Sequence, residues 1–330
     1  MRNLASIQRI LDLQPIKDAD QIEKAKVLGW QCVVKKGEFS VGDLCVYMEI
    51  DSLLPDRLEF EFLKPRGMRI KTIRLRGVIS QGICFPLSIL PFGVQAEEGD
   101  DVTELLGVLK YEPPISANLS GEAKGMFPSF IPKTDETRVQ VLQELLTECR
   151  GLNCYISEKL DGSSATYYVR YGGFGVCSRN LELKETEGNT FWKVARQFDF
   201  EEKLLRLGKN IALQGELIGE GIQGNKYKLR GQLVAFFNAY DIDDRRYYDY
   251  AEFVDLLDGL GLSSVPIIQT GFCLEPDIDF LLQLSVGKSL LNAQTEREGI
   301  VIRPMVEQRC DIGRVSFKAV SPEFLLKYGE

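Results

Sequence analysis

Short apolar runs separated by turn residues mark the first third of the chain. Three of these runs, each beside a glycine turn, are Trp30–Val34, Leu44–Ile50 and Ile70–Leu75. Runs of this length with frequent turns are typical of antiparallel strands. We therefore predict an all-β domain over residues 1–112, and an OB-like barrel is the leading interpretation.

The pattern changes after this region. Residues 113–132 are rich in proline, glycine and serine, a composition typical of a linker. Residues 133–330 combine helical and strand patterns, so the second domain is predicted to be α+β. Strand patterns dominate from Leu152 onward, and helices are predicted at three places: Thr134–Cys149, Phe191–Leu207 and Tyr250–Leu260.

Composition limits the possible chemistry. The chain has 330 residues and no histidine, which excludes an imidazole base, a Ser-His-Asp triad and a His-ligated zinc site. Proton transfer and metal binding must therefore depend on carboxylates and lysines. Eight cysteines without a C-x-x-C pair indicate reduced, mostly buried thiols, so we expect a cytoplasmic protein. No apolar run reaches the ~18 residues of a membrane span, and no membrane association is expected.

Positive charge is concentrated in one segment, although the net charge of the chain is −8. Thirteen residues without an acid contain six basic side chains: Lys64, Arg66, Arg69, Lys71, Arg74 and Arg76. The spacing from Arg69 to Arg76 is compatible with a β-ribbon that faces phosphate groups. This basic segment is a candidate nucleic-acid-binding surface, and the alternative is an ordinary solvated face.

A lysine in the second domain is the first candidate for catalysis. A strand-like stretch ending at Glu158 leads into Lys159-Leu160-Asp161-Gly162. The glycine allows the backbone to turn closely beside the lysine. A lysine held in a partly desolvated pocket can lose its proton and act as a nucleophile. The alternative is a surface lysine before an Asp-Gly turn.

Two phosphate-binding signatures match only in part. Gly219–Gly224 spells G-x-G-x-x-G and follows the predicted strand Ile211–Ile218, but a dinucleotide site would need a helix next. A further strand, Leu233–Ala239, is predicted there instead. Gly287-Lys288-Ser289 ends like a P-loop, but Leu282 occupies the position of its first glycine. Neither segment therefore predicts a nucleotide site.

Further charged and aromatic residues lie on or beside predicted strands, and each also has an ordinary structural interpretation. Arg179 ends one strand and suits a phosphate or a ribose. Glu216 lies in the middle of another strand, and Glu298 immediately precedes a third. Phe236–Tyr240 offers aromatic rings that could stack on a base. Lys318 follows a last apolar strand.

In this order, the lysine, arginine, glutamate, aromatic-aspartate, glutamate-glycine and lysine motifs resemble those of the covalent nucleotidyltransferases. The resemblance covers Pro132 to Tyr328. This superfamily contains ATP-dependent DNA and RNA ligases and GTP-dependent capping enzymes. Glu158 and the stretch Glu298–Pro304 resemble RNA ligases in particular, and the early barrel resembles the RNA ligase group with an N-terminal OB domain.

The resemblance implies a fold and a reaction. The implied fold class is α+β, with an N-terminal all-β OB-like barrel followed by an antiparallel-sheet nucleotidyltransferase (ligase adenylation) domain. Lys159 would attack the α-phosphate of ATP, expel pyrophosphate and hold AMP as a covalent lysyl-AMP. AMP would pass to a polynucleotide 5′-phosphate, and a 3′-hydroxyl would then seal the strand.

The implied partner is RNA, or an RNA-containing duplex with a nick, and we expect the enzyme to act as a monomer. Three alternatives stay open at this point. They are an ATP-dependent DNA nick ligase, a GTP-dependent capping-type nucleotidyltransferase and a non-catalytic nick-binding protein with a relic pocket.

The resemblance assigns catalytic and metal-binding roles. Lys159, Lys318 and Glu216 are the implied catalytic residues. Lys318 would contact the α-phosphate and stabilise its developing charge. Glu216 and Glu298 would hold Mg²⁺ or Mn²⁺, because these ions prefer carboxylate oxygens.

It also assigns binding roles. Tyr240 would stack on adenine, with Phe236 as the alternative on the same face. The implied ATP-binding residues are Glu158, Lys159, Ser164, Arg179, Glu216, Tyr240, Phe236, Glu298 and Lys318. The implied nucleic-acid-binding residues are Arg69, Lys71, Arg74, Arg76 and Arg138. Ser164 and Val320 depart from the family pattern, since some RNA ligases have asparagine at the first position and many relatives have lysine at the second.

Overall fold

The structure, a computed structural model, describes residues 3–112, 122–310 and 313–329. Its contacts divide the chain into two compact units: residues 1–113, 139–143 and 322–330, and residues 114–138 with 144–321. Two segments beyond the predicted first domain, 139–143 and 322–330, therefore belong to the first unit. Within the predicted linker, residues 113–121 lie outside the described ranges, whereas Ala123–Met126 is a strand of the second unit.

Short strands form the first unit, as its sequence pattern predicts. They are β1 (Ala5–Pro15), β2 (Ile22–Val27), β3 (Trp30–Lys35), β4 (Leu44–Met48), β5 (Ser52–Leu53), β6 (Ile73–Leu75), β7 (Val78–Ser80), β8 (Ile83–Pro86) and β9 (Leu109–Lys110). Five of them make a sheet in the order β3-β2-β1-β4-β8. The two ends of this sheet approach each other, because the N–H of Gln81, just before β8, donates to Gln31 O on β3 at 2.8 Å. The prediction of an all-β, barrel-like first domain is confirmed.

A bulge in β1 allows this closure. The first half of β1, Ala5–Arg9, pairs with β4, and the second half, Ile10–Pro15, pairs with β2. The register shifts between Ile10 and Asp12. Such a bulge bends a strand and increases its twist, so one strand can serve both sides of a curved sheet.

Arg69 in the basic segment is held inside the first unit. It forms a 2.8 Å ion pair with Asp51, and its guanidinium carbon lies 3.8 Å from the ring centre of Tyr111. The arginine side chain is only 14% exposed. The prediction that Arg69 binds nucleic acid is therefore not supported, because the cation already has a carboxylate and an aromatic partner.

Lys71 and Arg74 contact the segment 322–329 of the same unit. Lys71 Nζ donates to Gly329 O at 2.8 Å, and Arg74 donates to both carboxylate oxygens of Glu323, at 2.8 and 3.1 Å. Arg76 is exposed at the turn between β6 and β7. The exposed hydrogen bond of Lys71 and the exposed ion pair of Arg74 contribute little free energy, so both cations can exchange their partners for phosphate. A nucleic-acid role for Lys71, Arg74 and Arg76 stays a prediction.

Two sheets form the second unit. Their strands, with the small hairpin β21–β22, are β10 (Ala123–Met126), β11 (Thr137–Arg138), β12 (Asn153–Lys159), β13 (Ser163–Arg170), β14 (Gly173–Cys177), β15 (Leu181–Leu183), β16 (Ile211–Gly219), β17 (Gln232–Asp241), β18 (Arg246–Tyr247), β19 (Ile267–Cys273), β20 (Gly299–Pro304), β21 (Arg309–Cys310), β22 (Gly313–Arg314) and β23 (Phe317–Val320). The larger sheet has the order β10-β15-β14-β13-β16-β17-β18, and the smaller has the order β11-β23-β20-β12-β19. Neighbouring strands are antiparallel except β11 and β23. The predicted antiparallel-sheet domain is confirmed.

Short helices accompany these sheets. In the described ranges they are α1 (Gln143–Glu148), α2 (Thr190–Gln197), α3 (Phe200–Leu205), α4 (Tyr250–Leu260) and α5 (Ile278–Ser285), whereas a sixth helix, α6 (Pro322–Tyr328), belongs to the first unit. The prediction of α4 is confirmed: Asp249 and Glu252 form a capping box at its start, and Gly261 ends it with a φ of 61°. The predicted helix Phe191–Leu207 is divided into α2 and α3 at Asp199, whose φ is 53°.

The predicted helix Thr134–Cys149 is wrong over its first half. Thr137 and Arg138 form strand β11, which pairs with Phe317 and Lys318. The α-helix begins only at Gln143. Pairing with β23 satisfies backbone groups that a helix would satisfy internally, so the tertiary partner decides the local structure.

No helix in the described part of the chain is long and apolar enough to cross a membrane. The eight cysteines, all within the described ranges, are free thiols. A cytoplasmic location stays a prediction.

A buried ion pair fixes the smaller sheet. Arg303 on β20 is 2% exposed, and its Nη2 donates to Glu136 Oε1 at 2.8 Å. The same guanidinium donates to Ser316 Oγ at 2.9 Å and to Phe237 O at 3.0 Å. Burial by itself would raise the pKa of Glu136, but the positive charges of Arg303 and Arg314 outweigh burial and lower it.

Replacement of Arg303 by Met should destabilise the protein by about 3–5 kcal/mol, because it leaves the carboxylate of Glu136 buried without its cation. The free energy of unfolding, measured with denaturant, tests this. The control is Arg206→Met, which breaks an exposed pair with Glu202 and should change stability by less than about 0.5 kcal/mol. Equal effects of the two substitutions would contradict the assignment.

Candidate active site

Lys159 lies where the chain passes from one sheet of the second unit to the other. It is the last residue of β12 in the smaller sheet, and β13 of the larger sheet begins at Ser163. The turn between them is tight at Gly162: a methyl group there would lie 2.4 Å from Leu217 O and 2.9 Å from Glu216 Cγ. Only glycine allows this approach, so it brings Lys159 beside the middle of β16.

Glu298 is the direct partner of Lys159. The glutamate immediately precedes β20, whose Gly299 pairs in register with Lys159. Lys159 Nζ and Glu298 Oε1 are 2.5 Å apart, and the two side chains are 26% and 10% exposed. Neighbouring strands of one sheet thus present an ammonium and a carboxylate to each other at the strand ends.

The charge state of Lys159 follows from its surroundings. Burial favours the neutral amine and lowers the pKa of Lys159. The carboxylates of Glu298, Glu216 and Asp161 outweigh burial, and the net pKa is raised. Lys159 is therefore an ammonium in the free protein, and burial favours the neutral amine only when these carboxylates are engaged by something else.

Glu216 lies in the middle of β16 and faces the same site. It pairs in register with Ser164, and the N–H of Gly162 donates to its carboxylate. Burial raises the pKa of Glu216 to about 8, and the attraction of Lys159 offsets this only in part. The nearby carboxylate of Glu298 acts in the same direction as burial. Glu216 is a poorly solvated acid that would gain from a cation.

Lys318 approaches from the next strand of the smaller sheet. On β23 it pairs in register with Val301, and on the other side with Arg138 of β11. Burial lowers the pKa of Lys318 to about 7, and the charges of Arg138 and Lys159 act in the same direction. An anion bound beside Lys318 would raise this pKa and restore the full positive charge.

The site fits a divalent metal ion that shares its coordination with a substrate. Glu298 Oε2 is buried and has no hydrogen-bond partner among the described residues. Glu216 supplies a second carboxylate close by. The described ranges contain no group of three or more potential ligands able to hold an ion on their own. Mg²⁺ and Mn²⁺ are often bound by one or two carboxylates, with water and substrate phosphates completing the shell.

Glu158 directly precedes Lys159 on β12. The carboxyl is 1% exposed, and its Oε2 accepts the N–H of Leu290 at 2.8 Å. Its Oε1 is buried without a hydrogen bond to any described residue. Burial raises the pKa of Glu158, and the polar groups nearby offset this only in part. An unsatisfied buried oxygen of this kind is a ready acceptor for a ligand N–H.

The structure corrects the predicted stacking residues. Phe236 packs in the main core of the unit with Tyr167 and Phe200, and it is 1% exposed. Tyr240 belongs to another cluster and packs against Tyr247. The two rings do not share a face, and neither is available to a base.

A bulge in β17 explains the correction. Gly215 pairs with Phe236 and Gln214 pairs with Asn238, so Phe237 is an extra residue without a partner on β16. An extra residue reverses the alternation of faces along the strand. Tyr240 does share the face of Glu216, but it pairs with Ala212, four residues and roughly 13 Å along β16.

Phe237 is the aromatic ring that strand alternation does not identify. It packs against a cluster that contains Leu160, the residue after Lys159, and Ala235, which pairs with Glu216. Its ring is partly buried rather than enclosed. A sequence signal exists only in the doubled Phe236-Phe237, because alternation alone cannot place a bulge.

The remaining predicted residues differ in how they are connected to the site. Ser164 is brought to the site through its pairing with Glu216, and Arg138 is brought there through its pairing with Lys318. Arg138 is therefore better placed for a phosphate bound near Lys318 than for distant nucleic acid. Arg179 is exposed and forms a 2.5 Å ion pair with Asp135, whose charge also acts on Lys318.

Comparisons with known proteins agree with this arrangement. The model of an OB-fold domain family matches residues 4–87, and the model of the RNA ligase family matches residues 153–320. A lysine-to-alanine mutant of Naegleria gruberi RNA ligase, with ATP and Mn, is 42% identical over 98% of both chains with a TM-score of 0.90. A glutamate-to-alanine mutant of that ligase, with ATP and Mn, is 41% identical over 100% of both chains with a TM-score of 0.91. The same ligase with PPi is 42% identical over 98% of both chains with a TM-score of 0.90. No curated protein matches significantly.

Replacement of Glu216 by Gln should stabilise the protein in a pH-dependent way. A carboxyl whose pKa rises from 4.5 to about 8 on folding favours the unfolded state once the pH exceeds 4.5, and the penalty is complete above pH 8. The melting temperature of Glu216→Gln should therefore equal that of the wild type near pH 4.5 and exceed it increasingly up to pH 8.5. The exposed Glu187→Gln serves as the control. A difference that does not change with pH would contradict burial of the Glu216 carboxylate as its cause.

Proposed function

This chain belongs to the RNA ligase family, and we propose that it seals RNA through a covalent lysyl-AMP formed at Lys159. It is an ATP-dependent RNA ligase, since it matches a ligase structure that contains ATP and Mn at 42% identity over 98% of both chains. The observation that carries the residue assignment is the 2.5 Å pair of Lys159 and Glu298 at the junction of the two sheets. Glu216 and Lys318 stand beside this pair and supply the charges that phosphoryl transfer requires.

In the first step the Lys159 amine attacks the α-phosphorus of ATP. A P–N bond forms, the P–O bond to the β-phosphate breaks, and pyrophosphate leaves with the bonding electrons. The ammonium must first lose a proton to solvent, and it does so once Glu298 and Glu216 no longer stabilise its charge, because burial then favours the neutral amine. A bound Mn²⁺ or Mg²⁺, held by Glu216 and Glu298, would neutralise phosphate charge and draw both carboxylates away from Lys159.

Lys318 binds the α-phosphate in this scheme. Its pKa of about 7 in the free site leaves it only partly charged at neutral pH. The arriving phosphate raises the pKa of Lys318, so the cation forms where negative charge develops. Arg138, paired with Lys318 in register, adds a second permanent cation.

The adenine base is placed by Glu158 and Phe237. Glu158 Oε1, buried and without a hydrogen bond in the described residues, would accept from the exocyclic amino group. Phe237 supplies a ring beside Leu160 and replaces Tyr240 and Phe236 as the proposed stacking partner. A guanine would place a carbonyl oxygen where adenine has an amino group, which favours ATP over GTP.

In the later steps AMP passes to an RNA 5′-phosphate, and a 3′-hydroxyl attacks that phosphate and releases AMP. We place these ends at a nick in a duplex, because base pairing to a template aligns both ends and removes an entropic cost. In the first unit, the exposed Arg76 and the exchangeable cations Lys71 and Arg74 are available for backbone phosphates. We propose that one chain acts alone, since Lys159, Glu298, Glu216 and Lys318 all come from the same unit.

Incubation with α-labelled ATP and Mn²⁺ should label the wild-type protein, and the label should survive denaturation. Lys159→Ala should not be labelled, and Lys159→Arg should fail too because guanidinium stays protonated. Lys193→Ala, which removes an exposed lysine of α2, should be labelled like the wild type. Stable label in Lys159→Ala would move the nucleophile elsewhere.

Nicked duplexes that differ only in RNA or DNA at the two ends should separate the substrates. We expect an all-RNA nick to be sealed at least about tenfold faster than an all-DNA nick, and faster than the same two strands without a template. Product formation is measured on denaturing gels with pre-adenylylated 5′ ends as well as free 5′-phosphates. Preference for the all-DNA nick, or for single strands, would overturn the nick-in-RNA assignment.

A further inference from the structure

The segment Gly219–Gly224, whose spelling suggested a dinucleotide site, begins a tightly closed loop of the second unit. The loop leaves β16 at Gly219 and returns to β17 at Gln232. A methyl group at Gly219 would lie 2.2 Å from Gly231 O, so the two ends of the loop touch. The N–H of Glu220 donates to Gly231 O at 2.9 Å and closes its base.

The backbone of this loop is strained at several residues. Gln223, Asn225 and Lys228 have φ values of 43°, 47° and 55°, which residues other than glycine rarely adopt. Asn225 stabilises the turn from within, since its side chain binds both the N–H and the carbonyl oxygen of Leu229. Strain of this kind persists only where surrounding contacts determine the conformation, and it is often found at functional sites.

Two side chains of the strained loop, Lys226 and Tyr227, contact the turn that follows Lys159. Lys226 Nζ forms an ion pair with Asp161 Oδ2, and the two side chains are 14% and 10% exposed. The N–H of Asp161 donates to the hydroxyl of Tyr227 at 2.7 Å. Asp161 is therefore held twice, once through its carboxylate and once through its backbone, two residues after Lys159.

The backbone of Lys226 and Tyr227 is hydrogen-bonded to the segment that leads to Glu298, the partner of Lys159. Thr295 Oγ1 donates to Lys226 O at 2.7 Å, and Asn292 Nδ2 donates to Tyr227 O at 3.1 Å. Thr295 is three residues before Glu298. Lys226 and Tyr227 thus connect the turn after Lys159 to the approach of Glu298.

The positive charge of Lys226 also affects the pair of Lys159 and Glu298. Asp161 is one of the carboxylates that act on Lys159, and a poorly solvated carboxylate seeks the nearest cation. With Lys226 in place, Asp161 has a partner outside the reactive pair. Without it, Asp161 would compete with Glu298 for the Lys159 ammonium and pull the nucleophile out of line.

We propose that Lys226 and Tyr227 are positioning residues that hold Asp161, and through it the turn bearing Lys159, in line for attack on ATP. This inference rests on the function proposed above. Neither residue needs to touch ATP, because the effect passes through Asp161.

Single-turnover labelling with ATP and Mn²⁺ tests the proposal in Lys226→Met, Lys226→Arg and Tyr227→Phe. Displacement of a nucleophile lowers the rate of attack rather than the affinity for substrate. Lys226→Met should therefore lower the maximal rate of self-adenylylation by about tenfold or more, while the half-saturating ATP concentration changes by less than about threefold. Lys226→Arg should recover most of the rate, and Tyr227→Phe should lower it in the same manner as Lys226→Met.

Lys228→Met is the matched control, because it removes the same charge from the same loop. Lys228 is exposed, and its Nζ donates to Gln294 Oε1 at 3.1 Å instead of to Asp161. Its rate should equal that of the wild type. Melting temperatures, measured in parallel, should show that every variant is folded.

A double-mutant cycle with Asp161→Asn decides whether Lys226 acts through Asp161. Lys226→Met should slow Asp161→Asn by less than about twofold, because the carboxylate it restrains is gone. A wild-type rate for folded Lys226→Met would overturn this inference but leave the ligase function intact, provided that Lys159→Ala is not labelled. Full additivity in the cycle, or a loss expressed only as weaker ATP affinity, would also overturn it. Absence of label in the wild type would overturn both proposals.

Discussion

The turn from Leu160 to Gly162 is the constraint on which the active site depends. It carries the chain from the smaller sheet to the larger one, and at Gly162 the backbone approaches β16 too closely for any side chain. This approach places the end of β12 beside the middle of β16. Lys159 on one strand and Glu216 on the other therefore interact, although 57 positions separate them along the chain.

Several ionisable groups near this turn are in energetically unfavourable states in the free protein. The pKa of Glu216 is raised to about 8, the pKa of Lys318 is lowered to about 7, and an oxygen of Glu298 is buried without a hydrogen bond in the described ranges. Each of these states costs free energy that a metal ion and a nucleotide phosphate would return. Binding of a charged substrate would relieve this unfavourable free energy. Active sites are often the places where an enzyme is less stable than its fold would allow.

The smaller sheet gives this strained site a rigid support. Arg303 on β20 is buried and binds Glu136, Ser316 and the backbone of Phe237. Phe237 belongs to the larger sheet, so one guanidinium fixes both sheets of the unit at once. The loop that bears Lys226 and Tyr227 acts on the other side of the site and joins the turn after Lys159 to the approach of Glu298. The reactive groups are therefore oriented by their neighbours rather than by flexible side chains alone.

Local sequence determined the features that depend on neighbouring residues. The Lys-x-Asp-Gly turn, the helix Tyr250–Leu260 with its capping acids, and the charged positions on strands follow from glycine conformation, capping and alternation. Contacts between distant segments decided the rest. Pairing with β23 makes a strand of Thr137 and Arg138. Asp51 and Tyr111 bind the guanidinium of Arg69, which was predicted to contact phosphate. The bulge at Phe237 reversed the faces of β17, so the ring in the cluster with Leu160 is one residue away from the one that alternation selects. A bulge arises from how a strand fits its partner, and a single strand's sequence does not contain that partner.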